Sequence, residues 1–292
     1  MPDDATFENL EESLEKRATG PFKRVYALLI HTLEQAWPGD DAPPKDKFLA
    51  LRQIDLGLFD GLAQPLVEML LDGAESALAE GFGAGLDEAR DSGVEPSVFR
   101  TSISREVVDA SRSMPDKIHD KVRLAKRALS NAVTLDEAKM AVSVAGSTIN
   151  TVSMTASYVA NQSANDARQH VADLDPELVS VVEPERDACV KCLNHAGKTN
   201  PERRPPFHPR CRCKLRVLEI QTSKPVVAAI KREADRSILR GWSRPGESEK
   251  VRLDAAKKLL AKNPNMPKSV KDYARTAIKR GEFPRGRAFP GD

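Results

Sequence analysis

Aromatic side chains are scarce in this sequence, at 5% of 292 residues, although the hydrophobic share reaches 40%. The core must therefore consist of aliphatic and alanine side chains. That composition favours packed helices over a β-sandwich. The sequence also contains no run of 18 apolar residues, which predicts that no segment crosses a membrane.

Signals for export and for common enzyme chemistries are also missing. The acidic start, MPDDATFENLEES, has no apolar stretch of the kind found in a signal peptide, so we expect the protein to be made in a reducing cytoplasm. No HExxH, glycine-rich phosphate loop, hydrolase elbow or constellation of paired carboxylates occurs. We therefore expect a protein that is not an enzyme.

The net charge of +2 hides a strong division along the chain. Residues 198–292 hold 25 Lys and Arg against 10 Asp and Glu, whereas residues 1–197 hold 20 against 33. The basic part predicts contact with nucleic acid or with an acidic partner, and a solvated surface is the alternative. The candidate contact residues are Lys257, Lys258, Lys262, Lys268, Lys271, Lys279 and Arg280.

The few cysteines are concentrated in one stretch, Asp187 to Ile220. Cys189 and Cys192 form one pair, Cys211 and Cys213 form another, and His208 lies between them, in the pattern C-x2-C-x15-H-x2-C-x-C. Thiolates and an imidazole at such spacing are typical zinc ligands, and a closed structural site takes four of them. The sequence therefore predicts a structural Zn²⁺ site.

Five candidates compete for four ligand positions. The preferred set is Cys189, Cys192, His208 and Cys211, with Cys213 as the substitute for either of the last two. Alternate residues of an extended strand face opposite sides, so both members of the C-x-C can bind only if the chain turns, and Pro209 is the candidate for that turn. His195 is too close to Cys192 in sequence to bind the same metal ion without strain, and we expect it to be a solvated loop residue.

Three other uses of the cysteines fit the sequence less well than structural zinc. Two disulfides would need an oxidising compartment. A thioredoxin-like redox pair would need a surrounding βαβ pattern, which the sequence lacks. A catalytic zinc would need a nearby general base, and no carboxylate stands beside the cluster in an obvious position.

The most regular helical pattern follows Val133. Thr134 and Glu137 form a capping box, and a heptad seam then implies a helix of about 35 residues, or about 50 Å. This seam could form part of the core or join two copies of the chain through residues 135–163. Its members are Leu135, Ala138, Val142, Ala145, Ile149, Val152, Ala156, Val159 and Ser163.

Two short β-type runs, Leu178 to Glu183 and Lys214 to Ile220, flank the cysteine cluster. Helical patterns follow at 226–239, 247–261 and 267–279, with Gly241 and Gly281 as stop signals. The predicted fold is mainly α: a helical bundle with one long helix, a small zinc-clipped β module and a basic helical C-terminal appendage. The predicted domains are an acidic helical region (1–134), the long helix plus Cys/His module (135–224) and the appendage (225–292).

The cysteine module resembles that of the phage Mu F-like minor head proteins, also called the phage head morphogenesis family. The likeness covers roughly residues 135–220 and depends on Cys189-x2-Cys192, then Gly197, then Pro205-Pro206-Phe207-His208-Pro209-x-Cys211-Arg212-Cys213. The resemblance implies a minor capsid protein that acts in head assembly near the portal. Its implied partners are portal and major capsid proteins, with double-stranded DNA as a further contact.

The location implied is the virion, with the host cytoplasm during assembly. A zinc-containing cellular nucleic-acid-binding protein is the alternative, motivated by the basic region, although aromatic residues for base stacking are few. A nuclease that uses the Cys/His cluster is a third hypothesis, disfavoured because no base accompanies the cluster.

Overall fold

The structure is a computed structural model that describes residues 5–96, 101–185, 188–208, 211, 213–241, 247–263 and 266–283. It confirms the predicted mainly helical fold with a small two-stranded sheet. The elements are α1 (Ala5–Ala36), α2 (Pro44–Leu51), α3 (Gly57–Asp60), α4 (Ala63–Asp91), α5 (Arg105–Arg112), α6 (Met114–Ser130), α7 (Leu135–Gly146), α8 (Thr148–Asp173), β1 (Leu178–Glu183), α9 (Val190–Leu193), β2 (Lys214–Glu219), α10 (Ile220–Arg240), α11 (Glu249–Lys262) and α12 (Lys268–Arg280). Within the described residues, none of these helices combines the length and apolarity needed to cross a membrane.

The chain forms two compact units, each assembled from two separate stretches. Unit 1 comprises Met1–Glu80 and Ser102–Ala164, and unit 2 comprises Gly81–Thr101 and Asn165–Asp292. The boundaries predicted after residues 134 and 224 do not coincide with this division, because they assume that each domain is continuous in sequence.

Unit 1 is a helical unit with an aliphatic core. Helix α6 shows the pattern most clearly, since its residues at steps of three and four are buried: Met114, Ile118, Val122, Ala125 and Leu129. The first helix is regular from Ala5 to Ala36, although the start of the chain is acidic and polar. Burial of Leu14, Ala18 and Phe22 along one face explains that order.

The heptad seam is divided between two helices, so the prediction of one unbroken helix of about 35 residues is wrong in this respect. Helix α7 ends at Gly146 and α8 begins at Thr148. The Ser147 hydroxyl donates to the Val144 carbonyl (2.6 Å), while Lys121 Nζ donates to the Ser147 carbonyl (3.1 Å). These side-chain bonds compete with the helical ladder at the junction.

Most of the seam is buried inside unit 1, which favours its use as core. Ala138, Val142, Val152 and Val159 are fully buried. The capping box is confirmed, because Glu137 N–H donates to Thr134 Oγ1 at 3.2 Å and the Glu137 carboxylate accepts from Thr134 N–H at 3.2 Å. Self-association through residues 135–163 remains a prediction.

Unit 2 contains the two predicted strands, which pair antiparallel with Leu178 opposite Glu219 and Glu183 opposite Lys214. Their buried side chains share one hydrophobic cluster with the cysteines and with residues of α10, α11 and α12. Ile230, Leu253 and Tyr273 are examples of C-terminal residues in this cluster. The C-terminal region is helical as predicted, and its buried residues share a core with the strands and the cysteines.

Candidate metal centre

The five predicted ligands are carried by three local structures in unit 2. Cys189 is the N-cap of the single-turn helix α9, and Cys192 lies within that turn, so both thiols project from one short segment. Cys213 directly precedes β2. The loop between them carries His208 and Cys211, held together by a hydrogen bond from Cys211 N–H to the His208 carbonyl (3.1 Å). The turn predicted at Pro209 lies outside the described residues.

The tertiary structure brings all five candidates together, with Cys192 at the centre. His208 Nε2 lies 3.1 Å from Cys189 Sγ and 3.0 Å from Cys192 Sγ. Cys192 Sγ is 3.5 Å from Cys211 Sγ. Two sets of three donors, each with all ligand atoms within 4.8 Å of one another, therefore share Cys192: one with Cys189 and His208, the other with Cys211 and Cys213.

This donor set fits a metal ion of the zinc type. In a tetrahedral zinc site with Zn–S bonds of about 2.3 Å, two sulfurs lie roughly 3.8 Å apart, close to the observed separation of Cys192 and Cys211. Among the described residues, no four donors form one group within 4.8 Å. A four-ligand site therefore takes donors from both sets, which share Cys192.

Hydrogen bonds among the thiols polarise the cluster. Hydrogen bonding with Cys192 lowers the pKa of Cys189 to about 5, and hydrogen bonding with Cys192 and Cys213 lowers that of Cys211 to about 2. The pKa of Cys192 rises, because its hydrogen bonds to Cys189, Cys211 and Cys213 hold its proton and burial adds to the effect. For Cys213 the hydrogen bond with Cys192 lowers the pKa, but the bond with Cys211 and burial together raise it. The lowered pKa values favour the thiolate, the form that binds metal, at Cys189 and Cys211, whereas Cys192 would release its proton on binding an ion.

Polar contacts hold the two sides of the cluster in place. The Glu247 carboxylate accepts from Val190 N–H at 3.1 and 3.3 Å, at the N-terminus of α9, where a negative charge is favoured. On the other side, Lys191 Nζ donates to the Phe207 carbonyl at 2.9 Å. Because Glu247 precedes α11, this contact links the cysteine module to the C-terminal helices.

His195 is half-buried, whereas a solvated loop residue was predicted. Its ring stacks on Phe207, with centroids 4.1 Å apart and an interplanar angle of 21°. Burial lowers the pKa of His195, and the nearby Lys198 acts in the same direction. The ring is thus a packing element beside the cluster, and among the described residues the groups of potential metal ligands do not include it.

A short extended segment after α9 widens the sheet. Gly197 N–H donates to the Val182 carbonyl (2.8 Å), and Asn200 N–H donates to the Ser180 carbonyl (2.8 Å). Gly197 has a φ of +66°, and a Cβ there would lie 2.8 Å from Lys231 Cγ. A glycine is therefore required where this loop approaches α10.

Asn165 holds the C-x-C end of the cluster in place, and the sequence analysis did not predict this role. Its side-chain amide donates to the Cys213 carbonyl (3.1 Å) and its oxygen accepts from Leu215 N–H (2.7 Å). Both bonds are buried and hold the start of β2 against α8. Asn165 stands next to the alanine-rich seam, but nothing in the local pattern indicates a partner some 50 residues away.

A second polar contact of β2 involves a buried carboxylate. Glu88 accepts from Val217 N–H at 2.8 Å and lies 3.8 Å from the guanidinium of Arg168, whose side chain is 7% exposed. Burial raises the pKa of Glu88, and the attraction of Arg168 offsets this only in part.

The predicted basic contact residues lie on α11 and α12, and none of them belongs to the Cys/His cluster. Lys257, Lys258, Lys262, Lys268, Lys279 and Arg280 are exposed, and Lys271 is half-buried. Lys257 forms an ion pair with Asp254 at 3.5 Å. The structure thus keeps most of these cations accessible to solvent.

Comparison of the chain with protein-family models, with curated proteins and with solved structures finds no match. The fold and the site by themselves define a mainly helical protein with a two-stranded sheet and a Cys/His cluster that could hold a metal ion.

Proposed function

We propose that this protein is a minor head protein of a tailed phage or prophage, in which the Cys/His cluster binds one structural zinc ion. The observation that supports the metal site is the convergence of both cysteine pairs and His208 around Cys192. The role in head assembly follows from the resemblance of the PPFHPRCRC segment and the upstream C-x2-C to the head morphogenesis proteins.

Zinc would be held by the preferred set of Cys189, Cys192, His208 and Cys211, with Cys213 as the substitute for either of the last two. Its contribution would be to fold stability, because metal binding to a site that only the folded chain assembles adds directly to the free energy of folding. The ion would connect α9 to the loop before β2, and those elements share a core with α10, α11 and α12. In this role the metal shapes a surface for docking to portal and capsid proteins.

The assembly role can be tested in the strain that carries the gene. Particles are induced and purified, and quantitative mass spectrometry measures the amount of this protein relative to portal and major capsid proteins. We expect it in DNA-containing heads in few copies per particle, and a deletion of the gene should reduce their yield. Purified, infective particles that lack the protein would refute the assignment.

A second candidate, a zinc-containing nucleic-acid-binding protein, is favoured by the exposed cations of α11 and α12. The two proposals differ in how DNA is bound. Sequence discrimination together with a steep loss of affinity between about 50 and 200 mM salt supports a dedicated DNA-binding protein. Weak binding that ignores sequence supports the virion role.

A further inference from the structure

A groove of about 680 Å³ lies between α9, α10 and α11 within unit 2. Its floor is apolar and buried, and includes Leu193, Ala196, Ala234 and Ile238. The residues that line it on α10 and α11 recur at steps of three and four, so each helix presents one continuous face. On α11 this face extends from Val251 to Lys262, which is about 16 Å at 1.5 Å per residue.

The two ends of the groove differ in chemistry. Helices α10 and α11 meet at one end of it, because the Arg252 guanidinium at the start of α11 donates to the Gly241 carbonyl at the end of α10 (2.8 Å). Ile238 and Val251 therefore lie at one end of the groove, while Lys231, Lys258 and Lys262 lie toward the other. One end is apolar and the other is basic.

The acidic residues in the groove are already matched by neighbours. Asp254 pairs with Lys257 at 3.5 Å, and Asp235 lies within the electrostatic reach of Lys231. Burial raises the pKa of Asp235, with the attraction of Lys231 acting against it. Lys258 and Lys262 are exposed and form no ion pair with the described residues. They leave a net positive charge at the basic end.

We propose that this groove binds an amphipathic helix of a partner protein, with an apolar stripe on one face and acidic residues near one end. A helix of about three turns matches the length of the groove and would place its apolar residues at i, i+3, i+4 and i+7 over the floor. Its acidic residues would face Lys258 and Lys262. The inference goes beyond the role in head assembly and does not depend on it.

Other occupants fit the groove less well. A phosphate backbone would meet the carboxylates of Asp235 and Asp254 and an apolar floor that offers it no hydrogen bonds. The last nine residues of the chain, 284–292, carry Arg285 and Arg287, which have the same sign of charge as the basic end. An acidic amphipathic helix complements both the floor and the lysines.

The test uses the full-length protein and a synthetic probe. A fluorescein-labelled peptide of about 14 residues contains Leu and Ala at i, i+3, i+4 and i+7 and Glu near one end, with a scrambled peptide of equal charge as the control. Fluorescence anisotropy measures binding. We expect saturable binding of the patterned peptide and at least about tenfold weaker binding of the scrambled one, because only the former presents an apolar stripe.

Variants then assign the site. Ala255→Trp fills the groove at a half-buried position and should abolish binding, while the double variant Lys258→Glu/Lys262→Glu should weaken it by about tenfold or more. Lys268→Glu makes one comparable charge change on α12, outside the groove, and should leave binding unaltered. Circular dichroism establishes that each variant is folded.

Three results would overturn the proposal. They are failure of the folded wild-type protein to bind the patterned peptide, binding that survives Ala255→Trp, and displacement of the peptide by a short DNA duplex. The last result would assign the groove to nucleic acid. None of them would bear on the presence of the protein in phage heads, so the two proposals fail separately.

Discussion

Replacement of Cys192 by serine tests the metal centre most directly, because Cys192 belongs to both sets of donors. Its Sγ lies 3.0 Å from His208 Nε2 and 3.5 Å from Cys211 Sγ, and the residue is 2% exposed. A serine hydroxyl at this position cannot act as a thiolate ligand. The variant therefore removes a ligand from every four-donor arrangement that the cluster allows.

The expected loss of stability can be worked from the ligand number. Structural zinc contributes about 10 to 16 kcal/mol of apparent binding free energy in small zinc domains, or about 3 kcal/mol for each of four ligands. Unit 2 comprises roughly 150 residues, for which 1 kcal/mol corresponds to about 2–4 °C in Tm. The loss of one ligand's share should thus lower the Tm of unit 2 by at least about 6–12 °C. Cys192→Ser should also reduce bound zinc well below one per chain, and complete loss of the ion would lower the Tm further.

The measurements are elemental analysis by mass spectrometry and thermal unfolding, both on protein purified under reducing conditions. Cys213→Ser is the matched control, because the preferred ligand set of Cys189, Cys192, His208 and Cys211 leaves it out. That control should keep about one zinc per chain. A Cys192→Ser protein that keeps one zinc and an unaltered Tm would refute the metal centre.

Three further predictions concern the surroundings of the cluster. Asn165→Ala should destabilise unit 2 by about 2–4 kcal/mol in urea unfolding, because it leaves the buried Leu215 N–H and Cys213 carbonyl without partners; an effect below about 0.5 kcal/mol would exclude an anchoring role. Removal of residues 225–292 should abolish cooperative unfolding of the cysteine module, measured by limited proteolysis and circular dichroism, and a resistant module would show that the C-terminal helices are dispensable. The raised pKa of Glu88 means that the folded state binds this proton more tightly than the unfolded state does. The wild type should therefore gain stability relative to Glu88→Gln as the pH falls from about 7.5 toward the ordinary carboxyl pKa of 4.5. A constant difference in the free energy of urea unfolding across that range would contradict the shift.

Features that depend on neighbouring residues could be predicted from the sequence. The β-type run at Leu178 forms β1 with the predicted bounds, and the capping box at Thr134 starts α7. Gly241 and Gly281 end their helices with φ values of +70° and +79°, as their positions after helical runs indicate. The spacing of the cysteines and His208 was enough to predict one cluster, because C-x2-C and H-x2-C bring their side chains together within a single turn.

The rest required contacts between distant residues. Ser147 divides the predicted long helix through bonds that include one from Lys121, 26 residues earlier. The C-terminal helices belong to the core of the cysteine module because Ile230, Leu253 and Tyr273 are buried with the strands, although their composition suggested a separate region. Cys213 and Cys211 both reach Cys192, which the alternation of an extended C-x-C did not predict. The local sequence pattern thus determined which residues could act as ligands, while the packing of α8, α10 and α11 decided how those ligands are held. Hydrogen bonds and apolar contacts between segments that are far apart in sequence do not produce a periodic pattern in either segment, so they could not be predicted from it.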